Sequence, residues 1–107
     1  MMKFIEINKD LIPYYFEIKL AGITWGFEVR YNREFDFFTI DLYRQEELIA
    51  AGEKVVYGQS LFSILMEDGR PGIDIIPFDQ SGNSNRVGWD ELGKSVFLYL
   101  VGGDDDE

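Results

Sequence analysis

The sequence predicts an all-β fold: a small antiparallel β-barrel or sandwich of about seven strands, with at most one short helical turn. Three observations predict it. Apolar and polar residues alternate with period two through Ile12–Tyr31, over about sixteen residues, as in a half-buried antiparallel pair. Aromatic residues make up 16% of the 107 residues, and aromatics favour strands and interfaces over helices. Turn signals recur roughly every eight to twelve residues, the spacing of short strands in barrels and sandwiches. In a chain this short, closing the sheet into a barrel is one way to hide strand edges.

The elements follow in order. K-F-I-E-I places Phe4, Ile5 and Ile7 in a first strand, ended by the turn residues Asn8-Lys9-Asp10. Pro13 has no N–H and belongs at a strand start. Phe16, Ile18 and Leu20 then share one face, with Glu17 and Lys19 on the other. Ala21-Gly22 forms a two-residue hairpin loop. Ile23, Trp25, Phe27, Val29 and Tyr31 return as a core face, opposite Thr24, Glu28 and Arg30. After a turn at Asn32-Arg33-Glu34, the segment Phe35–Tyr43 points Phe38, Ile40 and Leu42 one way. Arg44-Gln45-Glu46-Glu47 is a polar tip, and Leu48–Tyr57 is the returning strand, with Gly52 marking a bulge.

Ser60–Met66 fits a helical turn or a buried strand equally, because so short an apolar run has no decisive period. Glu67–Gly72 reads as a loop. Ile73–Phe78 contains Pro77 and reads as an edge strand. Asp79–Asn85 is a polar loop, and Asp90 is placed to cap one short turn ending at Gly93. Ser95–Val101 is the last strand. The reading divides the chain into one β domain over residues 1–101 and a flexible acidic tail over 102–107.

Composition excludes several chemistries. The chain has no Cys and no His, so disulfides, Cys/His zinc sites and Ser-His-Asp or Cys-His catalytic arrangements are ruled out. The net charge is −10 and is unevenly placed. Residues 1–33 hold five Lys/Arg against four Asp/Glu, and residues 34–107 hold five against sixteen. Such a chain is repelled by phosphate, so neither nucleic acid nor a membrane is an expected partner. No apolar run approaches the roughly 20 residues of a membrane-spanning helix, and synthesis in the cytoplasm is expected.

Glu17 and Glu28 are the best acid/base pair, but Lys19 and Arg30 share their face and favour surface charge pairing. Asp79-Gln80-Ser81-Gly82-Asn83 lacks the second acidic ligand and closing Glu of a calcium loop and reads as a turn. No metal or cofactor is expected. Trp25 reads as core, whereas Trp89 reads as either a core lid or a partner contact.

The ordered set Ile12-Pro13, Phe16, Leu20-Ala21-Gly22, Trp25 and Glu28-Val29-Arg30-Tyr31-Asn32 resembles the baseplate plug proteins of contractile-tailed bacteriophages, of the cyanophage type. The resemblance continues through Phe38, Asp41-Leu42-Tyr43, Gly52, Val56, Gly58, Leu61, Pro71-Gly72, Leu92-Gly93 and Val96-Phe97-Leu98-Tyr99. It covers about residues 12–100. It departs at the tip Arg44–Glu47 and at the long acidic tail Asp104–Glu107, both loop ends.

The resemblance implies a non-enzymatic structural protein of the tail baseplate in the virion, made in the host cytoplasm. The implied partners are other baseplate, tube or hub proteins, met as a symmetric multimer. A small binding module for carbohydrate or peptide is the alternative. For the partner interface the candidates are Tyr14 and Tyr43, read as lying off the core-facing sets of their strands, the loop residue Trp89, and the tail Asp104, Asp105, Asp106 and Glu107.

Overall fold

Two antiparallel sheets face each other in a computed structural model that describes residues 3–65 and 71–102. The larger is a meander of β2 (Tyr14–Leu20), β3 (Ile23–Asn32), β4 (Phe37–Arg44) and β5 (Glu47–Lys54). The smaller has the order β1 (Phe4–Ile5), β7 (Phe97–Val101), β6 (Asp74–Phe78). The sheets stay open at their edges and do not close into a barrel, so of the two predicted architectures the sandwich is the one formed.

The period-two pattern sets the pairing. Leu20 opposes Ile23 across Ala21-Gly22, and both loop residues have positive φ, 52° and 83°. That is the backbone sense that matches strand twist in two-residue hairpins. Gln45-Glu46 makes the same kind of turn at the β4–β5 tip, with φ of 52° and 69°. At Gly52 the register with β4 slips, as a bulge requires, and its freed amide donates to Asp41 Oδ1 at 2.7 Å. The bulge therefore leaves no orphan donor at that position.

Trp25, Phe27, Val29, Phe38, Ile40 and Leu42 from the larger sheet pack with Ile5, Ile75 and Leu98 from the smaller one. Loop residues Val55, Leu61, Phe62, Val87, Leu92 and Val96 complete the same buried cluster. Phe62 sits edge-on to Phe27 at 6.0 Å. β6 is an edge strand, as Pro77 requires, and the passing chain partly covers that edge. There the Gly58 and Leu61 amides donate to Pro77 and Ile75 carbonyls, each at 2.8 Å.

Several expected elements differ in detail. The first strand stops at Ile5, the Phe35–Tyr43 segment becomes regular only at Phe37, and the last strand begins at Phe97. Among the described residues the single helical turn is a 3-10 turn at Lys9–Leu11, not in Ser60–Leu65 or Asp90–Gly93. Asn8 caps it, its side chain accepting from the Asp10 amide at 3.1 Å; Asn8-Lys9-Asp10 thus forms a capped turn. Residues 61–65 form turns, with Phe62 at φ 62°, and Met66 and Glu67–Arg70 lie outside the described residues. At Val87–Gly93 the capping side chain is Glu91, which accepts from the Gly88 amide at 3.0 Å, rather than Asp90.

Candidate functional site

Asp36 organises one end of the sandwich. It sits in the β3–β4 turn at φ 58°, where its carboxylate faces the later loop 86–91. Oδ1 accepts from the Tyr31 hydroxyl at 2.6 Å and from the Trp89 amide at 2.8 Å. Oδ2 accepts from Arg86 Nη2 at 2.8 Å, and Arg86 Nη1 reaches Glu91 Oε1 at 2.9 Å. These donors, the Tyr31 hydroxyl foremost, hold the Asp36 carboxyl down to about 2, and the same hydrogen bond pushes the Tyr31 phenol up.

The clasp presents Trp89. Its ring lies 4.8 Å from Tyr31 and 6.1 Å from Phe38, the latter nearly parallel. Lys9 Nζ stands 5.1 Å over the ring and donates to the Trp89 carbonyl. Trp89 is thus a lid over the core that keeps 36% of its surface in water. Beside it runs an open groove of about 820 Å³, lined by Ile12, Pro13, Arg30, Tyr31, Arg33 and Trp89.

The outer face of the larger sheet is polar and paired. Arg30 bridges Glu28 at 3.1 Å and approaches Asp41 at 3.6 Å. Glu17 accepts from the Tyr15 hydroxyl at 3.1 Å. The expected pairing thus holds for Glu28 with Arg30, whereas Glu17 takes the Tyr15 hydroxyl, and Tyr15 lies edge-on to Tyr43 at 5.5 Å above Gly26.

Tyr43 therefore lies off the core face, as read from sequence, and is half-buried. Tyr14 does not. It shares the parity of Phe16, stacks on it at 5.4 Å and packs against the core. Its hydroxyl accepts from the Asn8 amide. Tyr14, Tyr43 and Trp89 consequently do not form one surface, and the tail Asp104–Glu107 lies outside the described residues.

The exposed aromatic surface is elsewhere. On the smaller sheet Ile5, Ile75, Pro77 and Leu98 face inward. The alternate positions Phe4, Ile76, Phe78, Phe97, Tyr99 and Val101 then form an almost wholly apolar outer face, in which Tyr99 is itself buried and Ile76, Phe97 and Val101 are half-buried. Phe4 packs on Phe97 at 4.7 Å and on Tyr99 at 5.9 Å, yet Phe4 and Phe78 remain 44% and 45% exposed. A signal for this face was present: F-L-Y-L-V does not alternate, and such runs belong to strands covered on both faces.

The Asp79 loop is structural. Its buried carboxylate accepts from the Ser81 hydroxyl and from the amides of Ser81, Asn83 and Ser84, at 2.6–3.0 Å. The Ser81 hydrogen bond leads in lowering its pKa, against the opposing effect of burial. Turned onto its own backbone, Asp79 closes the loop as an Asx turn does. Among the described residues no acidic group is arranged to hold a metal ion.

No curated protein and no solved structure matches the chain significantly. The family model described as "Cyanophage baseplate Pam3 plug gp18" matches residues 2–104. Its span takes in both sheets, the Asp36 clasp and the aromatic outer face, so the chain is a phage baseplate plug component and belongs to the cyanophage baseplate Pam3 plug gp18 family.

Proposed function

We propose that this baseplate component is a non-enzymatic assembly protein of a contractile tail, set near the tube or hub in several symmetric copies. The observation that carries the reading is the aromatic outer face of the smaller sheet. Apolar faces of this kind, rimmed by polar residues, are protein-docking surfaces. Here the rim includes the exposed Glu6 and Asp74. A partner surface that is apolar at its centre and less acidic at its edge complements it, and the net charge of −10 steers such a partner and repels nucleic acid and anionic lipid.

The absence of catalysis is supported by how the carboxylates are used. Glu28 pairs with Arg30, and Asp36 and Asp79 are ionised hydrogen-bond hubs without a poised proton. A binding module for peptide or carbohydrate is the second reading, favoured by the groove beside Trp89.

The test is sedimentation or pull-down with the neighbouring tube, hub and baseplate proteins over a salt series, using the parent and a Phe4→Ser/Phe78→Ser variant. The parent is expected to bind best at low salt, and the variant to bind about tenfold or more weakly while melting like the parent. Failure of the parent to bind any of these proteins at low salt rules the assembly reading out.

A further inference from the structure

We propose that the groove beside Trp89 receives the acidic segment Asp104–Glu107 of a second copy of this chain, joining copies groove to tail. The inference rests on the multi-copy reading above and names the contact that would join the copies.

The groove is chemically matched to carboxylates. In a chain of net charge −10, the charged residues lining it, among the described residues, are Arg30 and Arg33. Arg30 already bridges Glu28, but among the described residues no carboxylate pairs with the exposed Arg33. Lys9 adds a third cation over the Trp89 ring, with Asp10, Asp90 and Glu91 near it. The nearby Asp36 does not compete for these cations, because Tyr31, Arg86 and the Trp89 amide already occupy it. Guanidinium groups bind carboxylates through paired hydrogen bonds, and Ile12, Pro13, Tyr31 and Trp89 line the groove beside them.

The last described residue, Gly102, and the groove lie at opposite ends of the fold. Lys9 donates to the Trp89 carbonyl and its Cε lies beside Gly93, whose amide donates to the Val96 carbonyl just before β7 starts. β7 then runs away from that end to Val101, beside Asp74, and delivers Gly102 there. The strand alone spans about 13 Å at 3.3 Å per step. Asp104 lies at most about 7 Å from Gly102. That reach keeps Asp104 from the chain's own groove, so the proposed contact is made with a neighbour's. Such a contact is head-to-tail, the kind that closes rings when the rotation permits.

The chain has no cysteine, so introduced ones report unambiguously. Full-length Arg33→Cys and Asp105→Cys chains are mixed and oxidised, with Ile64→Cys, 89% exposed, replacing Arg33→Cys as the control. A disulfide-linked heterodimer is expected well above the control yield, and a yield equal to the control overturns the proposal.

In sedimentation of the protein alone, Arg33→Glu is expected to weaken self-association about tenfold or more. Replacing Asp104, Asp105 and Asp106 by Lys in that variant is expected to restore it. Circular dichroism checks that each variant folds. Identical sedimentation of parent and Arg33→Glu overturns the proposal. If Arg33→Glu abolishes binding to another tail protein while the parent alone is monomeric, the groove takes that partner's acidic segment and self-docking is overturned. The crosslinking and self-sedimentation measurements use the protein alone, so they fail independently of the test with tube and hub proteins.

Discussion

The amide of Trp89 donates to the carboxylate of Asp36 across 2.8 Å and 53 residues of sequence. That bond fastens the loop carrying Trp89 to the β3–β4 turn. Arg86 and Glu91 complete the fastening, so the exposed edge of the Trp89 ring is held in place against the groove.

Acid should loosen this clasp before it unfolds the core. The Asp36 carboxyl is lowered from an ordinary 3.8 to about 2, chiefly by the Tyr31 hydroxyl. A depressed carboxyl contributes stability that is present above its unfolded pKa and is lost as pH falls through the folded one. The Asp36 contribution is therefore full above about pH 4 and disappears toward pH 2. Asp36→Asn is expected to melt lower than the parent at pH 7 and to show a flatter stability curve between those values. Thermal melts across that range check it.

Gly88→Ala should open the clasp from the other side. A Cβ at position 88 would stand 2.5 Å from both Arg86 Nη1 and Asp36 Oδ2, and 2.8 Å from Glu91 Oε1. All three groups are tied to one another, so none can yield alone. The expected outcome is a lower melting temperature and a change in Trp89 fluorescence, with far-ultraviolet circular dichroism unchanged. Trp25 is fully buried and supplies a constant background.

Gly26 is required by Tyr15. A Cβ there would overlap the Tyr15 hydroxyl and stand 2.6 Å from its Cζ. Tyr15 is 43% exposed and can swing outward, so Gly26→Ala should cost only about 1 kcal/mol or less. The ring would leave Tyr43, and the phenol, raised mainly by burial and then by Glu17, should fall back toward its ordinary value. In a Tyr15→Ala background, Gly26→Ala should be neutral or stabilising. A double-mutant cycle with a spectroscopic tyrosine titration measures both effects.

Trp25→Ala should destabilise by about 3–5 kcal/mol, a large share of the stability of a small domain. The ring is wholly buried in the core cluster, flanked across the sheet by Ile18 and by Arg44, whose guanidinium carbon lies 5.4 Å from the ring centroid. Its Nε1 has no hydrogen-bond partner among the described residues. Trp25→Phe removes that orphan donor and keeps most of the apolar contact, so it should cost clearly less than alanine. Denaturant unfolding of the two variants distinguishes them.

The larger sheet was almost wholly legible in the sequence. Alternation through Phe16, Ile18, Leu20, Trp25, Phe27 and Val29 set the core face, and Ala21-Gly22 set the hairpin register. The bulge at Gly52 and the edge position of the Pro77 strand were also readable, because glycine and proline carry their backbone constraints locally. Tyr14 was misplaced although its parity with Phe16 was available, since Pro13 and the turn before it obscured where the strand begins.

What the sequence by itself determined is strand parity, turn position and the exclusion of Cys- and His-based chemistry, all of which follow from residue identity and local spacing. Tertiary structure alone decided the sandwich over the barrel, because closure depends on where β1, β6 and β7 separate from the meander. It also decided the Asp36 clasp, whose partners are up to 53 residues away, and the aromatic face of the smaller sheet. An apolar run shows that a strand can be covered on both sides. Only the packed arrangement shows which side the chain covers and which it leaves open, since covering is a property of distant segments brought together by burial.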